Sequence, residues 1–192
     1  MEQGKSKGII LRTNVFNESD LGVQILTSSG IKRDFIAKSA LKSKKRFAGG
    51  VLEPSHYIEF SWKEASSGLT YLEEAKLLDS FEGLRKSYEK VETAMRGIQL
   101  VNKVCKEGLE QEEVFHILGN YLKLCAAINA NKKTYLHFMI RLLSTIGILP
   151  NQSDFAAFQQ TPLSDSDSIQ LSEASLRNIE NALRPYKEDY LS

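Results

Sequence analysis

The 192-residue chain has only two cysteines, Cys105 and Cys125, and three histidines. The cysteines stand far apart, each inside an apolar helical pattern, so free buried thiols in a reducing compartment are expected rather than a disulfide framework. His56, His116 and His137 show no metal-ligand spacing and read as surface or half-buried side chains. No apolar run approaches the roughly 18 residues of a membrane span. The stretch Met1 to Gly8 is polar and lacks the apolar core of a secretory signal, so a cytoplasmic protein is expected. Gly49-Gly50 is no phosphate loop, since nothing like GxxxxGK follows from a strand. The acids are dispersed along helix faces instead of clustered for metal ions, which argues against a nuclease. Glu18 and Asp20 read as turn-capping residues.

What the chain does have is an uneven charge. Its net charge is only +1, yet the residues through Leu52 hold 10 basic against 4 acidic side chains, and the remainder 15 against 20. The hydrophobic content of 42% is enough for a core. A basic front half with an acidic remainder points to an anionic partner for the first half. The charge is densest in Ala37 to Pro54, where Lys38, Lys42, Lys44, Lys45 and Arg46 meet no acid until Glu53. Phe47 sits inside the run and Gly49-Gly50 closes it. Such a run is either a solvated loop or a surface for a phosphate backbone, with an aromatic beside it for an unstacked base.

Around that run the pattern is of strands. Lys7 to Thr13, Leu21 to Thr27, Ile31 to Ala37 and Tyr57 to Lys63 carry β-branched or alternating apolar residues. In the last of these Ile58, Phe60 and Trp62 share a face. Leu69 to Asp79 completes the set, though Glu73-Glu74-Ala75-Lys76 would also suit a helix. Five short strands with a long insertion between the third and fourth fit a Greek-key barrel of the OB type; SH3-like barrels and half-sandwiches share the pattern. Beyond Leu77 the apolar period changes to three and four. Asp79 and Glu82 form a plausible N-cap arrangement. The stripe Leu84, Tyr88, Val91, Met95, Ile98, Val101, Val104 predicts one long helix or two in tandem, ended by Gly108. A second helix is expected over Gln111 to Ala130, broken by Asn129-Ala130-Asn131, and a third over Thr134 to Ile146, stopped by Pro150. Asn151 to Ile169 reads as a polar loop, and Ser172 caps a last helix with Leu176, Ile179 and Leu183 on one face. The expected fold class is α+β, with an OB-type barrel over 1–80 and a helical domain over 81–192.

The segments Gly8 to Thr13, Glu18 to Leu21, Val23 to Thr27, Ala37-Lys38 and Arg46 to Pro54 stand in the order and spacing of the opening of the RecO family of bacterial recombination mediators, which the chain resembles. Phe138, Arg141, Leu142, Leu143, Gly147 and Pro150 are similar to that family's F-x-x-R-L-L-x-x-x-G-x-x-P, and LEEAKLLDSFEGLR to its entry into the helical part. The resemblance implies an OB-fold that binds single- and double-stranded DNA and anneals complementary strands. It also implies action with RecR to load RecA on strands coated by single-stranded DNA-binding protein (SSB), whose acidic C-terminal tail would bind the helical part. A nucleoid-associated location follows from the same likeness. Several members carry cysteine pairs for zinc after the matching proline. Here Phe155-Ala156-Ala157-Phe158 fills that spacing and no Cys or His lies between Pro150 and Ser192, so no cofactor is expected and the two phenylalanines should pin the loop instead.

Lys38, Lys42, Lys44, Lys45 and Arg46, supported by Arg12, Lys32 and Arg33, are the expected DNA contacts, made to phosphates and therefore salt-dependent. Phe47 either stacks a base or plugs the barrel beside Val51. Arg141, with Phe138 and Leu142, either clamps the carboxylate of a partner's tail or pairs internally with Glu112 or Glu113. The rival to DNA binding is an adaptor whose barrel takes an acidic protein or peptide. No catalytic residues are expected.

Overall fold

Period-two apolar alternation builds five strands: β1 Gln3–Val15, β2 Leu21–Thr27, β3 Lys32–Ala37, β4 Tyr57–Glu64 and β5 Thr70–Asp79. The computed structural model describes residues 2–128, 131–150 and 153–191. The chain divides into two compact units, Met1–Glu82 with Lys106–Phe115, and Gly83–Cys105 with His116–Ser192.

In the first unit the strands close into a barrel in the order β1-β2-β3-β5-β4, the OB-type arrangement. β1 is long because it serves two neighbours. Its first half pairs antiparallel with β4, from Gln3↔Lys63 to Ile9↔Tyr57, and its second half with β2, from Gly8↔Thr27 to Val15↔Leu21. The register shifts between Ile10 and Arg12, which bends the strand around the barrel. Closure is parallel and short, through Ile36↔Tyr71 and Ala37↔Leu72. Ile10, Val23, Ile25, Phe35, Ile58, Phe60 and Leu72 fill the interior, with Phe35 and Phe60 edge to face at 5.2 Å. Glu73 to Lys76 are strand, since Phe60↔Ala75 and Ile58↔Leu77 pairing uses their backbone.

The first unit also takes back a segment expected among the helices. Glu107 forms a parallel bridge with Lys32, the Gly108 N–H donates to the Lys32 carbonyl at 3.4 Å, and the Phe115 ring meets Tyr57 at 5.8 Å. Gly108, with φ of 72°, therefore turns this excursion and does not end the first helix.

The second unit holds α1 Tyr88–Val104, α2 Glu112–Ala127 from His116 on, α3 Lys132–Thr145, α4 Ala156–Gln160 and α5 Glu173–Leu191. Ser87, not Asp79, caps α1: its Oγ accepts the Lys90 N–H at 3.3 Å, while Asp79 receives the Phe81 N–H. A 3-10 turn over Glu82–Lys86 intervenes. Its tighter pitch shifts the phase at the start of the helix, so a stripe counted from Leu84 is off in its first turns. Leu84, Ile98, Val101 and Val104 of the expected stripe are buried, but Tyr88 and Val91 are 79% and 38% exposed, and Ala94 and Gly97 take up the buried face in the first turns. Asn129 and Ala130, part of the expected break after α2, lie outside the described residues. Asn131 caps α3 reciprocally with Thr134. Gly147, with φ of 74°, stops α3: the Ile148 N–H bonds the Leu143 carbonyl and the Gly147 N–H that of Ser144. Pro150 is not needed for the stop.

The core of this unit is a stack of Tyr121 on Phe138, centroids 4.0 Å apart. Gly97 makes room for it, since a Cβ there would come within 2.3 Å of the Tyr121 ring. The Tyr121 hydroxyl donates to the Thr93 carbonyl at 2.8 Å. The expected loop contains α4 between two 3-10 turns, Ser153–Phe155 and Leu163–Ser168; Asn151 and Gln152 lie outside the described residues. Phe155 and Phe158 are buried. His137 is buried as well, contrary to the surface or half-buried place expected for it. Its Nε2 lies 3.0 Å from both the Phe158 and Thr161 carbonyls, so it carries the proton and donates to them. One turn on, Arg141 donates to the Gln159 carbonyl, and Gln159 Nε2 donates to Ser144 Oγ at 2.9 Å. Ser172 caps α5, accepting the Ser175 N–H at 3.1 Å, and Ile179 and Leu183 are its buried contacts.

Two outcomes follow. Gly97→Ala drives a methyl into the Tyr121 ring and should cost about 1–3 kcal/mol in urea unfolding, as overpacked sites do. Burial holds the His137 pKa below its usual 6.5, so the unfolded chain binds a proton that the folded one rejects. Stability is full above that value and falls as pH drops through it toward the lowered folded pKa. His137→Gln should flatten the unfolding midpoint between about pH 7 and pH 5.

Candidate nucleic-acid interface

The segment between β3 and β4 is where the cations concentrate, and it is folded onto the barrel. It contains two 3-10 turns, Ala40–Lys42 and Ala48–Gly50. Ala40, Phe47, Val51 and Leu52 turn inward and join the barrel core. Phe47 is 4% exposed and beside Val51 in that cluster, so it is a plug and not a stacking platform. Burial of the ring anchors the segment at its middle, and backbone bonds fix the flanks. The Ala75 N–H of β5 donates to the Arg46 carbonyl at 3.0 Å. The Arg46 guanidinium donates to the Lys38 carbonyl at 2.8 Å and lies 5.3 Å from the Phe47 ring. Lys38 Nζ sits 4.5 Å over the Tyr71 ring.

These contacts sort the expected cations. Lys42, Lys44 and Lys45 are exposed, and among the described residues none pairs with a carboxylate. Lys38 and Arg46 are exposed but also tie the segment down. Arg12 is exposed on β1 at the register shift. Two expected contacts sit elsewhere. Lys32 is 9% exposed, beneath the 106–115 excursion, and does not present its ammonium to a ligand. Arg33 is half-buried, stacks over Trp62 at 4.3 Å, donates to Thr70 and pairs with Glu64 at 3.7 Å. Its charge closes the β3–β4–β5 seam.

A groove of about 560 Å³ runs between the segment and the β4–β5 surface. Lys45 and Arg46 line it with Lys5 and Lys76, opposed by Glu59 and Glu74. Lys5 and Lys76 were not expected there; both lie on polar faces where a single strand's alternation does not tell which neighbour it will meet. Among the described residues no group of three or more His, Cys, Asp or Glu lies together, and no helix is long and apolar enough to cross a membrane. Burial pushes the Cys125 thiol up to about 11, so it is un-ionised and unreactive at neutral pH.

The second unit holds the residues expected at a partner site. Phe138 and Leu142 are wholly buried, the former under Tyr121, because α3 packs on several sides at once. Among the described residues Arg141 pairs with no acid; one of its N–H groups is engaged by the Gln159 carbonyl.

Comparison with known proteins places the chain. A family model described as Recombination protein O N terminal matches residues 1–81, the span of the barrel strands. The chain is similar to the DNA repair protein RecO of Desulfosudis oleivorans, 34% identical over 151 residues, which are 77% of this chain and 58% of that one. It is similar to the RecO of Syntrophobacter fumaroxidans at 33% over 150 residues, 78% and 59% of the two lengths. The RecO of Syntrophus aciditrophicus is 32% identical over 148 residues, 76% and 56%. The chain thus spans less than two thirds of the length of these relatives. With an OB-type barrel matching that family's front end and a likeness that continues into the helices, the chain belongs to the RecO family.

Proposed function

We propose that this protein binds DNA in recombinational repair and anneals complementary strands, without covalent chemistry. The observation that carries the reading is the exposed trio Lys42, Lys44 and Lys45. They are held out by a segment that Phe47 pins to the core, with no carboxylate of the described residues paired to them. Two complementary strands repel each other, and a fixed cationic surface that neutralises phosphates lowers that barrier while leaving base edges to pair. Phosphates, not bases, are what lysines at this spacing take, so sequence preference is weak. The relatives' common name, DNA repair protein RecO, supports the same direction. Cooperation with RecR, with RecA loading and with the tail of SSB belongs to this reading through family membership. If the helical unit takes that tail, it does so away from the buried Phe138 and Leu142.

The test is a titration of labelled single strands across a salt series, with strand annealing alongside. The variant is Lys42/Lys44/Lys45→Ala, which spares Arg46 and Phe47 because both hold the segment. The variant should fold as the wild type by circular dichroism. It should lose affinity and reduce the slope of log K against log salt by about 2, at roughly 0.7 per single-strand phosphate contact. Annealing should slow in parallel. Unchanged binding and annealing in a folded variant would remove the trio from the mechanism.

A further inference from the structure

The aromatic inside the basic run is buried, but the barrel unit exposes another. Phe16 is 55% exposed and its neighbour Val15 66%. Both stand where β1 runs into its connection with β2. The connection is a closed turn: the Phe16 N–H donates to the Asp20 carbonyl at 2.9 Å, and Asn17 Nδ2 to Asp20 Oδ2 at 3.3 Å. Two more bonds stitch this turn to the basic segment. The Ser39 N–H donates to Asp20 Oδ1 at 2.7 Å, and the Leu41 N–H to the Ser19 carbonyl at 3.1 Å. The Ser39 N–H, with help from Asn17, holds the Asp20 carboxyl below its usual range, so the stitch persists at neutral pH. Leu41 is itself 54% exposed, with Lys42 next to it and Lys44 two residues further on.

One end of the barrel therefore presents an exposed phenyl ring, two exposed aliphatic side chains and unpaired ammonium groups, on a turn and a segment bonded to each other. Exposed apolar side chains set beside unpaired charge are a recognition feature. The charge selects the occupant: a polyanion that also has something apolar to offer. A single strand has both, in its phosphates and the faces of its unstacked bases. The β1–β2 connection is one of the loops through which OB barrels take oligonucleotides. We propose that Phe16, on a turn bonded to the basic segment, is the base-stacking residue of the barrel, and that it gives single strands an advantage over duplex, whose bases already stack on one another. The proposal rests on the DNA reading above. Glu18, exposed on the same turn, and the ionised Asp20 both oppose phosphate and limit affinity there.

The experiment measures wild type, Phe16→Ala and Phe16→Trp by anisotropy against a labelled oligothymidine and a labelled duplex. Phe16 is exposed, so the variants should fold, checked by thermal unfolding. Phe16→Ala should weaken single-strand binding roughly tenfold, the scale of one base–aromatic stack, and leave duplex binding and the salt slope unchanged. Phe16→Trp should retain affinity, and its added indole fluorescence should quench when the single strand binds. Equal single-strand affinity of wild type and Phe16→Ala, or equal losses on both DNAs, overturns the assignment while the DNA reading stands. Failure of the wild type to bind either DNA overturns both.

Discussion

Five cations lie within the nine residues from Lys38 to Arg46, and like charges at that density push apart and resist packing. One aromatic side chain holds the segment against the barrel. Burying the Phe47 ring contributes about 2–3 kcal/mol, more than an exposed lysine pair loses to its own repulsion in water. The ring enters the same cluster as Phe35, Phe60 and Val51, so the segment is continuous with the core and not appended to it. Ala40, Val51 and Leu52 join the same core, Arg46 and Lys38 add side-chain ties, and the ammonium groups of Lys42, Lys44 and Lys45 are left outward. Arg46 shows the division of labour: its carbonyl and guanidinium both serve the fold, and its lysine neighbours do not.

The barrel was legible because each strand buries one face, and alternation in Leu21 to Thr27 or Tyr57 to Lys63 states which. The first residues of β1 were not legible because Gly4 and Ser6 offer no apolar side to read; their strand exists through pairing with β4. Phe47 could be read two ways because an irregular segment has no period to say which side is inward. Lys32 and Arg33 looked like surface cations because a strand's pattern does not reveal what packs beside it. For Lys32 the neighbour is a segment some seventy residues on.

In the helical unit, existence, type and most of the phase of the long helices were legible, and the phase at the start of α1 was not. Ser87 is a better cap than Asp79 because its Oγ reaches the Lys90 N–H, and that choice rotates the stripe away from Tyr88 and Val91. His137 and Arg141 carried no signal for their roles, since their partners are backbone carbonyls, which every residue has. Being four apart on α3 they share a face, and together they grip the three residues Phe158, Gln159 and Thr161.

That grip has a character of its own. The stretch from Ser153 to Gln160 is fastened by two buried phenyl rings, an imidazole and a guanidinium on carbonyl oxygens, none of them a thiolate. Chelators and oxidants act on loops fastened through thiolates, so neither offers a handle on this one. Its attachment is indifferent to the redox poise of its surroundings.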